Sequence, residues 1–198
     1  DLKGQKIWIP EGDPIGRIVF KNAGVPPMPL PLPDVLTGLH NRRYLDRRLG
    51  EEVTRSARYG SPLSCLFIDA DHFKSVNDMH GHHAGDQVLR EISLRVRECL
   101  RASDIATRFG GEEFALLLPQ TNQDEAFKLA ERIRKRIGEQ SILLESGQKL
   151  QITVSIGVSQ LAIPASEGCS EKLLNDADGA LYEAKRLGRN RVRHAPRD

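Results

Sequence analysis

Residues 106–119 read ATRFGGEEFALLLP. Two short, apolar, β-prone runs, 105–109 and 114–118, flank the glycines, and Gly110-Gly111 is a dipeptide that closes a tight hairpin. Glu112 and Glu113 therefore sit beside the turn of a hairpin that otherwise reads as buried. Acids commonly do no more than solvate such a turn, so the flanking sequence decides whether this pair has another use.

Outward from the hairpin, strands and helices alternate. Tyr44, Leu45, Leu49, Val53 and Ala57 fall at helical spacing, and Ser61-Pro62 ends that helix before the apolar strand LSCLFIDA at 63–70. Val88, Leu89, Ile92, Val96, Cys99 and Leu100 make a second amphipathic stripe, on a helix beginning near Ala84. Beyond the hairpin, Ala126, Phe127, Ala130, Ile133 and Ile137 make a third, followed by a long strand at 150–160. Leu173, Leu174, Ala177, Ala180, Leu181, Ala184 and Leu187 predict a last helix stopped at Gly188, with a short strand at 191–195. This order predicts an α+β sandwich, helices packed on a mainly antiparallel sheet.

Upstream the composition changes. Residues 1–24 hold two β-like runs, KIWIP at 6–10 and IGRIVFK at 15–21, which read as the tail of another module, possible sensor included. Residues 25–33, VPPMPLPLP, are too proline-rich for helix or central strand and read as an extended linker. The domain is then 34–198.

Composition narrows the classes of function. Of 198 residues, 39% are apolar and 28% charged, as in a globular protein. The net charge of +2 offers no polycationic face for nucleic acid, so a phosphate-bearing ligand must be met locally. No apolar run reaches the length of a membrane span, which predicts no membrane contact by this stretch. The chain opens at Asp1 without methionine and reads as a piece of a longer protein whose upstream part is free to be anchored. Cys65, Cys99 and Cys169 are odd in number, without a CxxC pair, which predicts reduced thiols and a cytoplasmic setting, with Cys65 and Cys99 in the core.

The chemistry clusters at strand ends. Asp69 and Asp71 share a face of an extended backbone, and if that strand lies beside the hairpin, Asp69 converges with Glu112 or Glu113. Carboxylates so placed repel unless protonated or bridged by a cation, and hard oxygen donors near phosphate suit Mg²⁺; a surface acidic turn is the plainer alternative. Lys74, Asn77, His82 and Asp86 follow in one loop-to-helix segment. Ionised Asp86 can receive the adjacent ring N–H and amino group of guanine, although a carboxylate in a first helical turn is also ordinary dipole chemistry. His80, His82 and His83 lack the cysteine partners expected of a zinc site. Lys185 and Arg189 lie one helical turn apart around a glycine stop, fit either for the dipole of a helix end or for phosphate.

Four motifs, DVLTGLHNRR at 34–43, DADHFKSVND with GHHAGD at 69–86, RFGGEEF at 108–114 and ALYEAKRLGRN at 180–190, occur in the order of the GGDEF-domain family of diguanylate cyclases. Residues 34–198 resemble that family over essentially their whole length. The resemblance implies a palm-like α+β domain, a ferredoxin-like sandwich related to nucleotide cyclases and polymerases. It implies that Asp69, the carbonyl of Ala70 and Glu112 bind Mg²⁺, with Mn²⁺ as a substitute, and that Asn77 and Asp86 read guanine, with His82 as a further substrate contact. Lys74, Lys185 and Arg189 then surround the triphosphate, Lys74 stabilising developing charge and Glu112 assisting as general base. The implied reaction condenses two GTP into cyclic di-GMP and two pyrophosphates. The family usually has a larger aliphatic residue where Ala70 stands, a change expected to cost packing more than metal binding.

By the same resemblance, Arg101 and Asp104 match the RxxD inhibitory site for cyclic di-GMP, and Arg132 is a candidate second contact. The product is two-fold symmetric while the chain carries one guanine site, so catalysis is expected in a homodimer. Two alternatives are a catalytically silent receptor for GTP or cyclic di-GMP and a cyclase making a mixed guanine and adenine product. Asp86 disfavours the latter, since adenine presents an acceptor where the carboxylate needs a donor. A purely structural protein has no reason to keep the paired acids.

Overall fold

The structure, a computed structural model, describes residues 33–162 and 168–196. The expectations for residues 1–24 and for the linker at 25–32 lie outside the described residues.

Among the described residues, eight strands and four helices follow in chain order. They are β1 (His40–Asn41), α1 (Arg42–Tyr59), β2 (Leu63–Ala70), α2 (Phe73–Glu98), β3 (Ile105–Gly110) and β4 (Glu113–Pro119). Then come α3 (Gln123–Glu139), β5 (Ile142–Leu143), β6 (Lys149–Leu150), β7 (Val154–Gln160), α4 (Cys169–Arg186) and β8 (Val192–His194). The main sheet runs β1-β3-β4-β2-β7-β8. Its three central pairings are antiparallel and its two outer ones parallel, a mainly antiparallel palm-like α+β sandwich.

Alternation along β2 shows how the layers form. Leu66, Ile68 and Ala70 join the core under α2 and α3, whereas Cys65 and Phe67 join the core under α1 and α4. Helices cover both faces, so β2 is buried throughout, which is why it reads as a continuous apolar run. Burial pushes the Cys65 thiol up to about 12.

Local chemistry sets the helix ends. The Asn41 carboxamide caps α1 by accepting from the Tyr44 amide, and Gly60, left-handed at φ 62, ends it. Asn122 and Glu125 form a reciprocal capping box at the start of α3. Buried Arg95 donates to the carbonyls of Ile137, Gln140 and Ser141, so a side chain of α2 satisfies the end of α3.

Four local expectations are corrected. Ala57 is exposed, and the α1 face is completed instead by buried Glu52 and Ser56, the former paired with Arg48 at 2.6 Å. Lys74 and Asn77 lie on helix, not loop, because α2 starts at Phe73 and breaks only at Gly81 (φ 81, ψ 163). The strand expected at 150–160 is two: Leu150 pairs with Ile142 in a separate ribbon, and the main-sheet strand starts at Val154. Gly110 pairs with Glu113 around a bulge at Phe109, so Gly111 and Glu112 form the hairpin turn, one residue beyond the expected Gly110-Gly111.

Candidate active site

β2 ends in the middle of the sheet, and its last residues meet two neighbours. Asp69 stands in register with Glu113 of β4 on one side and Ser155 of β7 on the other. The Ala70 amide donates to the Glu112 carbonyl at 3.3 Å, bringing the hairpin turn against the strand end. The expected convergence of Asp69 with the paired glutamates is thus built by strand register. Asp69 is 6% exposed and shares the α4 side of the sheet, from which Lys185 reaches its carboxylate at 2.8 Å.

Electrostatics follow from this crowding. Burial, then the charge of Asp71, pushes the Asp69 carboxyl above its ordinary value, against the pull of Lys185 and Arg189. Burial, then Asp69 and Glu113, raises Glu112, again opposed by Lys185. Asp71 is also buried, but its carboxylate is engaged: it accepts from Thr153 and Ser155 hydroxyls, each at 2.7 Å, and from the Asn190 amide at 3.0 Å. It fastens the loop after α4 to β7 rather than facing the hairpin.

Among the described residues no three His, Cys, Asp or Glu side chains gather as a metal cluster. A cation here would draw on two carboxylates, Asp69 and Glu112, the carbonyl of Ala70 and the oxygens of a ligand. That all-oxygen set, with both carboxyl groups raised by burial and by neighbouring acids, fits a hard divalent cation such as Mg²⁺. His83 belongs elsewhere: its Nε2 lies 2.9 Å from Glu145.

The remaining expected ligand-binding side chains fall into two groups. Lys74 and Asn77 sit on the first arm of α2, His82 and Asp86 beyond the break at Gly81. Lys185 is in the last turn of α4, whereas Arg189 lies past the helix in left-handed backbone (φ 61), so the two are not one helical turn apart. The side chains of Lys74, Asn77, His82, Asp86, Glu112 and Arg189 make no hydrogen bond or ion pair with another described residue. Lys74 and His82 are exposed, and Asn77 and Asp86 are half-buried.

Arg101 and Asp104 lie at the other end of β3, about 20 Å of strand from the hairpin turn. The Asp104 carboxylate accepts from the Arg101 amide at 2.9 Å, and the Asp104 amide donates to the Arg101 carbonyl at 3.1 Å. Arg132 of α3 donates to the Cys99 carbonyl at 2.7 Å, bringing its guanidinium to the same corner.

Arg108 was not among the expected site residues. Its guanidinium donates to the Gly111 carbonyl at 3.1 and 2.8 Å and pairs with Asp34 at 3.3 Å. The domain entrance and the hairpin turn are thereby joined. Burial would raise the Asp34 carboxyl, but hydrogen bonds from Thr37 and the Arg108 charge hold it below its ordinary value. An arginine beside the glycines was the signal available in the sequence; its partner was not.

A strand buried on both faces and ending in an aspartate beside a hairpin of glutamates defines a palm-like α+β domain with an acidic centre. The chain belongs to the GGDEF-domain family: the family model described as "Diguanylate cyclase, GGDEF domain" matches residues 32–191. Response regulator PleD of Caulobacter vibrioides is 46% identical over 165 residues, 82% of this chain and 36% of PleD. The chain spans between about a third and under a half of the length of the curated relatives it matches. Among solved structures, the GGDEF domain of DgcB from Caulobacter crescentus in complex with c-di-GMP aligns with TM-score 0.80 at 31% identity, covering 89% of this chain and 99% of that one. The active GGEEF domain of a diguanylate cyclase from Vibrio cholerae aligns with TM-score 0.73 at 36% identity, covering 80% and 98%. No helix among the described residues is long and apolar enough to cross a membrane.

Proposed function

We propose that this domain is a diguanylate cyclase that condenses two GTP into cyclic di-GMP. The observation that carries the reading is the meeting of Asp69 with the Glu112 turn, fixed by the β2–β4 register and the Ala70-to-Glu112 hydrogen bond. Each 3′-hydroxyl attacks the α-phosphorus of the other nucleotide; two P–O bonds form, two α–β bridges break, and two pyrophosphates and two protons leave. Membership of a family described by this activity, and a GGEEF relative described as active, support it.

Asp69, Glu112 and the carbonyl of Ala70 would hold Mg²⁺, or Mn²⁺ in its place, which when bound neutralises triphosphate charge and acidifies the attacking hydroxyl. Asn77 and Asp86 read the guanine edge, and His82 lies nearby as a further contact. Lys74, Lys185 and Arg189 meet the phosphates, Lys185 exchanging its present partner Asp69 for a phosphate oxygen. Glu112, its carboxyl raised, is suited to receive a proton.

Two copies must face one another, since each chain supplies one such site. Product returns to Arg101 and Asp104 and inhibits, with Arg132 close by. The setting is the cytoplasm, where GTP is available.

The test is turnover. Purified protein with GTP and Mg²⁺ yields cyclic di-GMP and pyrophosphate by chromatography, and Glu112→Gln lowers the rate at least about 100-fold. Absence of product from the parent at high protein concentration, with cyclic di-GMP still binding tightly, would sink the enzyme in favour of a receptor.

A further inference from the structure

Gly85 lies one residue before Asp86, in the second arm of α2. Its backbone is helical, since Gly81 alone departs from helical geometry within α2, and Gly81 already supplies the break between the arms. Glycine is among the poorest residues in a helix interior, and Gly85 uses none of its conformational freedom, so its presence calls for another cause.

The cause lies across the break. A β-carbon on Gly85 would stand 2.0 Å from Asn77 Oδ1 and 3.1 Å from Asn77 Cγ. The other near atom is Phe73 Cζ at 3.1 Å, a contact relieved by a shift of a few tenths of an ångström. The outright collision is with the Asn77 carboxamide alone. Resting on the bare Cα of Gly85, that carboxamide comes directly beside the residue that carries the Asp86 carboxylate.

We infer that Gly85 is a positioning residue for base selection, its missing side chain letting Asn77 and Asp86 act as one reader of the guanine edge. The inference rests on the guanine reading proposed above. An amide that both donates and accepts, held next to a carboxylate that only accepts, matches the guanine edge, whose two adjacent donors the carboxylate receives and whose flanking acceptors an amide can meet. A methyl group at position 85 turns the Asn77 side chain to another rotamer. The backbone stays as it is, since an amide at the end of a side chain can rotate away where main chain cannot. The phosphate-side residues, Lys185 and Arg189 after β7 and Glu112 in the hairpin, are untouched.

The experiment is a double-mutant cycle between Gly85→Ala and Asn77→Ala, read by calorimetric binding of a non-hydrolysable GTP analogue, by the kcat and KM of turnover, and by thermal melting. Gly85→Ala is expected to melt no lower than the parent, because alanine favours helix. It should bind the analogue about 10- to 100-fold more weakly and raise KM by a similar factor while kcat moves less than about threefold. In the Asn77→Ala background, Gly85→Ala should add less than about twofold, because the group it displaces is gone. Parent-like binding by Gly85→Ala beside a loss of about tenfold or more in Asn77→Ala would overturn the inference and leave the guanine reading standing. Fully additive losses would also overturn it. Parent-like binding by Asn77→Ala would overturn the guanine reading itself, and the role of Gly85 with it.

Discussion

The carboxylate of Asp104 closes its turn onto the Arg101 amide, so the turn is held from within while the Arg101 guanidinium engages no other described residue. The backbone therefore does not depend on the arginine side chain. Arg101→Ala is expected to melt within about 2 °C of the parent, as exposed substitutions do, to keep a near-normal initial rate, and to lose inhibition by added cyclic di-GMP. Inhibition as strong as in the parent would refute the assignment of product binding to this corner. Single residues also mark where sequence reading stops. The meeting of the Asp69 strand end with the Glu112 turn was legible because acids stand out against apolar strands, and Asn77 and Asp86 stood out as candidates by chemical type alone. Arg108 was not, because what defines it is a partner 74 residues away, and no local pattern reports a clamp of that span. The partners of Asp71 were out of reach for a related reason: alternation gives a side chain's face but not the hydroxyls of Thr153 and Ser155 that engage it.

Helix α4 packs unusually close on β7. A β-carbon on Gly157 would meet the Ala177 carbonyl at 2.0 Å and the Leu181 amide nitrogen at 2.3 Å, main-chain atoms that cannot rotate aside. Gly157→Ala is expected to cost about 3 kcal/mol or more, read as a lower denaturation midpoint, with Lys185 and the phosphate-side loop displaced in the same step. A midpoint equal to the parent's would mean that α4 can ride off the sheet without penalty. Elements with a sustained stripe or a continuous apolar run were foreseeable: α1, α3, α4, the second arm of α2 and strands β2, β3, β4 and β7 stand where the sequence pattern put them, give or take their ends. The first arm of α2 escaped because only Phe73 and Val76 of its residues 73–80 are buried, too few to make a stripe. The break between β6 and β7 escaped because β-propensity continues through 150–160, whereas the change of pairing partner from Ile142 to β2 is a tertiary fact.

For the whole molecule, the decisive quantity is how many copies meet. The proposed guanine reader and the hairpin, one of each among the described residues, predict that, below the dissociation range of the proposed dimer, tenfold dilution lowers the rate per chain about tenfold, by mass action. A rate per chain that stays constant through that range would sink the two-copy mechanism. The sheet bears on what else such encounters produce. Among the described residues its margins are β1, two residues long, and β8, three, each joined by parallel pairing to a longer neighbour. Strands so short offer almost no exposed main chain for a foreign strand to zip onto. Edges this short give the encounters between copies that the proposed reaction requires little purchase for growing, strand on strand, into fibrils.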